Sequence, residues 1–171
     1  SAANYFGDMA YSQLFMNAQS QAMAAGIPFD VISETDLANA NLSALSNYDA
    51  IVFPSFQNVP ANYAEIEAVL TQLVDVYHIP LITAGNFMTS DANGAALSGN
   101  AYARMQDLLG VTVSGSGSGA VTLIAGDNQI TQDYGSGGVI HSYGNIGTQY
   151  FSFYGSGAET VIALQSIGGG A

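Results

Sequence analysis

Apolar positions recur with a helical period and then with a strand period, in turn, along the first two-thirds of this chain. Between Met9 and Ala25 they fall at Leu14, Phe15, Ala18, Ala22 and Met23. Spacings of three and four put such residues on one stripe of a helix. Gly26 follows where the left-handed residue that closes a helix is needed. Asn4-Tyr5-Phe6 before this stretch and Pro28 to Ile32 after it read as strands, which predicts a β-α-β unit with a right-handed crossover. A polar stretch with short helical turns at Asp36-Leu37 and Leu42 to Leu45 leads into Ala50-Ile51-Val52-Phe53, a continuous apolar run of the kind that forms a strand covered on both faces. Ala61 to Tyr77 then carries Ile66, Val69, Leu70, Leu73, Val74 and Tyr77, the clearest helical stripe in the chain. Leu81 to Ala84 is a second buried strand with Gly85-Asn86-Phe87 as its exit loop, and Tyr102 to Leu109 is a further helix ended by Gly110.

From Val111 onward Gly and Ser dominate. Ser114-Gly115-Ser116-Gly117-Ser118-Gly119 reads as a surface loop, and Val121 to Ile124, Val139-Ile140, Tyr150 to Tyr154 and Thr160 to Leu164 read as strands. The expected fold is therefore α/β, one domain over residues 1–171. It is a three-layer, doubly wound, mainly parallel sheet of the flavodoxin-like kind, with strands at Asn4 to Phe6, Phe29 to Ile32, Ala50 to Phe53 and Leu81 to Ala84 parallel and adjacent. The C-terminal strands complete that sheet or add a small antiparallel piece.

Charge narrows the partners. Arg104 is the single Arg or Lys against 13 Asp plus Glu, for a formal net charge of −12, yet charged residues make up only 8% of the chain. Without a basic stripe to neutralise phosphates, nucleic acid is excluded as a partner, and an anionic membrane surface is disfavoured. No apolar run nears the roughly 20 residues that span a bilayer, so no membrane insertion is expected. A surface dressed with Ser, Thr, Asn, Gln and Gly points to an extracellular or cell-surface setting. The absence of Cys removes disulfides, thiolate metal sites and any Cys nucleophile. The chain opens at a strand-like segment without a signal peptide and stops in Gly168-Gly169-Gly170-Ala171, which predicts a piece of a longer protein whose flanking domains are partners.

Three stretches carry a resemblance. Ala25-Gly26-Ile27-Pro28-Phe29-Asp30-Val31, Tyr48-Asp49-Ala50-Ile51-Val52-Phe53-Pro54-Ser55 and Ile79-Pro80-Leu81-Ile82-Thr83-Ala84-Gly85-Asn86 are similar to the second strand, third strand and nucleophile turn of class I glutamine amidotransferase-like domains. Leu108-Leu109-Gly110-Val111, Asp127 to Thr131 and Ala158 to Ala163 resemble elements of the branch without amidotransferase activity, which includes the trimerisation domain of certain β-galactosidases and trehalose-utilisation-like proteins. Where catalytic members carry Cys, this chain has Gly85, and His141 lacks an acidic residue two positions on. The resemblance thus implies the fold, makes amidotransferase activity untenable, and leaves oligomerisation as one of the roles to expect.

In an open α/β sheet, ligands bind beyond the carboxyl ends of the strands, where the strand order reverses. The loops expected there are Gly7-Asp8-Met9, Ser55 to Asn58 and Gly85-Asn86-Phe87. They give a candidate ligand-binding set of Asp8, Ser55, Phe56, Gln57, Gly85 and Asn86. Short polar side chains suit a sugar or another neutral polar ligand, with Phe56 or Phe87 as a stacking face. No catalytic residue, metal ligand or cofactor is assigned. Each candidate also has a plain structural role: Asp8 as a helix N-cap, and the others as partners for loop backbone groups. Asp91, in Thr89-Ser90-Asp91-Ala92-Asn93-Gly94, sits in a loop with some likeness to a calcium site but without its terminal Glu, which favours an Asx turn. His78 is expected to bond the last carbonyls of its helix, His141 to pack on a strand, and Arg104 to pair with a carboxylate such as Asp107 or Asp8.

Three functions remain in competition. The leading one is a non-catalytic assembly or ligand-binding module of an exported, carbohydrate-active protein. The second is a hydrolase domain acting on a glycan or ester, with Asp8 or Asp91 as acid or base, although the sequence offers no carboxylate pair of the kind that chemistry needs. The third is a structural domain of a cell-surface protein.

Overall fold

A computed structural model describes residues 8–124, 139–155 and 163–167. The chain is mixed α/β, with short parallel strand pairs and an antiparallel sheet. It divides into two compact units, Ser1–Gly110 and Val111–Ala171.

The first described element of this unit is α1 (Asp8–Ala24). Gly26 stands at φ 69, which lets the Gly26 N–H reach Met23 O and the Ile27 N–H reach Ala22 O, the left-handed helix ending that the sequence predicts. The strand expected over Phe29 to Ile32 does not form. A strand exists only by pairing, and here Phe29, Val31 and Ile32 are all exposed, while the Asp30 carboxylate accepts a hydrogen bond from the Tyr48 hydroxyl. The strand expected at residues 4–6 lies outside the described residues.

Two short helices follow, α2 (Glu34–Ala38) and α3 (Leu42–Leu45), capped by Ser33 and Asn41. Each lays one buried leucine, Leu37 or Leu45, toward α4 (Tyr63–Asp75), against which both helices pack. The helical stripe of α4 behaves as its spacing predicts: Ile66, Leu70 and Leu73 are completely buried. His78 closes this helix through its backbone rather than its imidazole. Its φ of 56 lets the Ile79 N–H reach back to Leu73 O at 2.9 Å. The final helix of the unit, α5 (Ala103–Leu109), ends on Gly110 at φ 65 and packs on α4 and on a buried strand, β4 (Phe87–Ser90).

Arg104 of α5 is 93% buried in effect, with only 7% of its surface exposed. Its Nε donates to Met88 O at 3.0 Å and its Nη2 to Asn100 O at 3.1 Å, while Nη1 lies 3.9 Å from Glu67. The carboxylate beside it is Glu67 on α4 rather than Asp107, and the Asp8 side chain lies outside what the structure describes. The same guanidinium also bonds the Met88 carbonyl of β4 and the Asn100 carbonyl just before α5. Met88 itself sits at φ 50, a left-handed conformation that non-glycine residues resist, so the buried guanidinium anchors the backbone at a strained position.

Among the described residues, the second unit forms a three-stranded antiparallel sheet in the order β6-β5-β7, where β5 is Val111–Ile124, β6 is Val139–Phe153 and β7 is Ala163–Ile167. The segment Ser114 to Gly119 lies inside β5 and not in a surface loop. Strict Ser/Gly alternation is a period-two pattern: Ser114, Ser116 and Ser118 are exposed on one face, and the glycines occupy the other. Tyr150 of β6 lies over those glycines, and a methyl group at Gly117 would stand only 2.9 Å from its Cζ. His141 takes its expected place on a strand, opposite Leu123. Of the strand expected over 160–164, residues 163 and 164 are described, in β7.

Candidate functional site

In the first unit, β1 (Ile51–Phe53) runs parallel to β3 (Leu81–Thr83), and β2 (Phe56–Asn58) runs parallel to β4. Phe53 stands opposite Thr83 in the first pair, and Phe56 opposite Phe87 in the second. The two parallel ladders are thus interrupted at the same level on both chains, at Pro54-Ser55 on one side and Ala84-Gly85-Asn86 on the other. Pro54 has no N–H to give to a ladder, and Gly85 turns the backbone out at φ 66. These two residues explain why both strands break there. The chain passes there from one two-stranded parallel sheet to another, so the break is flanked by paired backbone on both sides.

Pairing brings Ser55 and Phe56 alongside Gly85, Asn86 and Phe87. Gly85 is exposed, and a side chain built on it would meet nothing within 4 Å, so the backbone there is open to approach. Ser55 and Gln57 are half-buried, and Ser55 is already engaged in an interaction. Asn86 is half-buried as a residue, but its Oδ1 is buried and has no hydrogen-bond partner. Phe56 and Phe87 are core residues: with Phe53 they form a cluster whose ring centroids lie 5.0 to 5.8 Å apart, and they are 5% and 0% exposed. They form the floor beneath the break. Asp8 is the first residue of α1, and the pairing that joins the two breaks does not involve it.

One residue outside the candidate set, paired with Ser90 further along the same ladder, also has unpaired buried polar atoms. Asn58, the last residue of β2, is 0% exposed, and neither its Nδ2 nor its Oδ1 has a partner. An unpaired buried amide group costs about 1–3 kcal/mol, so the Asn58 amide in β2 and the Asn86 Oδ1 just before β4 are an expense that plain packing does not require. The signal was present in the sequence as a polar residue in step with Phe56 on a short strand, but a loop assignment for Ser55 to Asn58 hid it. No Asp, Glu, Arg or His lies in either break. The site can therefore give and accept hydrogen bonds but supplies no charge.

Asp91 is occupied structurally. Its Oδ1 accepts from the Asn93 N–H at 2.8 Å and the Ala95 N–H at 3.0 Å, and the Gly94 N–H bonds back to Asp91 O, the Asx-turn arrangement. Among the described residues, no group of three or more His, Asp or Glu side chains is placed to hold a metal, and no helix is long and apolar enough to cross a membrane. No family model, curated protein or solved structure matches this chain.

Proposed function

We propose that the unit Ser1–Gly110 binds a neutral polar ligand, a sugar or sugar-like polyol, at the break in its paired parallel strands, and that it does so as a non-catalytic module of a larger exported protein. The observation that carries this reading is the Asn86 Oδ1, buried and unpaired beside the open backbone of Gly85. A ligand hydroxyl donating to that oxygen would remove the cost of leaving it unpaired. A net charge of −12 and a break without ionic side chains favour a neutral ligand over a phosphate or carboxylate. The resemblance to the amidotransferase-like branch without a nucleophile points the same way, with a three-layer, doubly wound sheet as the parent architecture. The lack of Cys removes the nucleophile that glutaminase chemistry would need.

Replacing Asn86 with Leu keeps roughly the same volume and removes the acceptor. Calorimetry or a glycan array should then record a loss of about tenfold or more in affinity, equivalent to about 1–3 kcal/mol. Sugar binding that survives Asn86→Leu unchanged would move the site elsewhere.

A further inference from the structure

A second feature of the first unit is independent of the strand break. The loop after β4 turns back on itself, with Ser90 bridged to Ala96 and the Leu97 N–H bonded to Thr89 O, and it faces the turn that leads from β2 into α4. Between the two lies a cleft of about 230 Å³. Val59, Pro60, Tyr63 and Leu97 give it an apolar lining, and Val59 and Leu97 are themselves buried. Asp91 and Asn93 also line it, and Asp91 is the one carboxylate among the lining residues.

The geometry points to a binding site for a small organic ammonium ion with an apolar body. Three observations lead there. The Asp91 carboxylate is held in place at Oδ1 by two backbone N–H groups, so its orientation is set before any ligand arrives, and Oδ2 takes part in neither bond. The chain's one Arg bonds the carbonyls of Met88 and Asn100 and lies 3.9 Å from Glu67 and 5.6 Å from the ring centre of Tyr63, and among the described residues no Arg or Lys forms an ion pair with Asp91. A formal net charge of −12 raises the local concentration of cations and repels anions. A preoriented carboxylate without a counterion, above an apolar lining, matches a ligand that carries one N–H-bearing cation on a hydrocarbon body. The volume corresponds to roughly eight waters at about 30 Å³ each, which suits a fragment such as benzylammonium rather than a large ligand.

The test uses the whole chain and reads amide chemical shifts during titration. Benzylammonium should shift Val59, Tyr63, Asp91 and Leu97 saturably, with a dissociation constant of order millimolar for so small a ligand. Asp91→Asn is the decisive variant, because the amide oxygen can still accept from Asn93 and Ala95, which preserves the turn while removing the charge. It should weaken binding about tenfold or more. Ala92→Trp, which fills the cleft from its lining, should abolish binding. Benzyl alcohol, the neutral counterpart, should bind at least several-fold more weakly than benzylammonium. Nα-acetyl-lysine methylamide, titrated alongside, separates a free amine from a lysine side chain presented by another protein, since tighter binding of either one still supports recognition of the ammonium. The proposal is overturned if neither ammonium probe shifts these residues saturably, if Asp91→Asn binds benzylammonium as wild type does, or if benzyl alcohol binds equally well.

Discussion

The two units of this chain are held together by different means. In Ser1–Gly110, interior side chains do the work: Ile66, Leu70 and Leu73 of α4 are fully buried, Phe53, Phe56 and Phe87 pack ring against ring, and a buried Arg104 ties α5 to β4. In β5 of the second unit, the residues from Val111 to Val121 are half-buried or exposed throughout. There, order comes from the long backbone ladder between β5 and β6 and from Tyr150 lying across a row of glycines. The comparison teaches that a strand without side chains can still be specified, provided a neighbouring strand supplies the bulk. It also separates the two places where function can reside. Polar groups left without partners in the first unit oppose a well-packed core, so their persistence calls for a use.

The comparison breaks most visibly at α4. Leu70→Ala should destabilise the first unit by about 2–5 kcal/mol, the usual cost of a large-to-small change at a buried site, measured by denaturant unfolding. A cost below about 1 kcal/mol would mean that this interior is not the source of stability. In the second unit the sensitive change runs the other way, from small to larger. Gly117→Ala forces the Tyr150 ring off the strand, with an expected cost of about 1–3 kcal/mol from overpacking. The Tyr150 hydroxyl is buried without a partner, so Tyr150→Phe should be neutral or stabilising by up to about 1 kcal/mol. A marked loss of stability in that variant would reveal a partner for the hydroxyl and undo the picture of a purely steric cover.

The smallest effect is one of pH. The Tyr48 hydroxyl is raised above its usual value of 10.0, first because it donates to the Asp30 carboxylate, then through desolvation, and then through repulsion between that carboxylate and a phenolate. A raised value means that the folded chain holds the proton more tightly than the unfolded chain. The contribution is therefore complete below pH 10 and is lost as pH climbs from 10 through the raised folded-state value. Tyr48→Phe should flatten this part of an alkaline stability profile and leave the neutral region nearly unchanged. The effect is small, since the pair is exposed to solvent.

How far the sequence could be read depended on whether a signal was local. Helix bounds were legible because period and cap lie within a few residues, and α1, α4 and α5 begin and end within two residues or so of their predicted bounds, but of the stripe expected on α1, Phe15 and Met23 are exposed. The strand at Phe29 to Ile32 was not, because its apolar run could not say whether a partner edge would be present. The Ser114 to Gly119 strand was misread because its composition is that of a linker, while the reason it is ordered, Tyr150, lies more than thirty residues away and meets it only through the β5–β6 register. The same limit applies to the site. Ser55, Gly85 and Asn86 could be chosen from loop chemistry, whereas the burial of Phe56 and the unpaired amide of Asn58 depend on pairing between β2 and β4.

The central claim is that the paired strand break receives a neutral polar ligand, and backbone amide shifts recorded during a monosaccharide titration test it most directly. The account predicts saturable shifts centred on Ser55, Gly85 and Asn86, together with a shift of the Asn86 side-chain amide signals. Shifts confined to Val111–Ala171, or none at these three residues with any sugar that binds the chain, would contradict it.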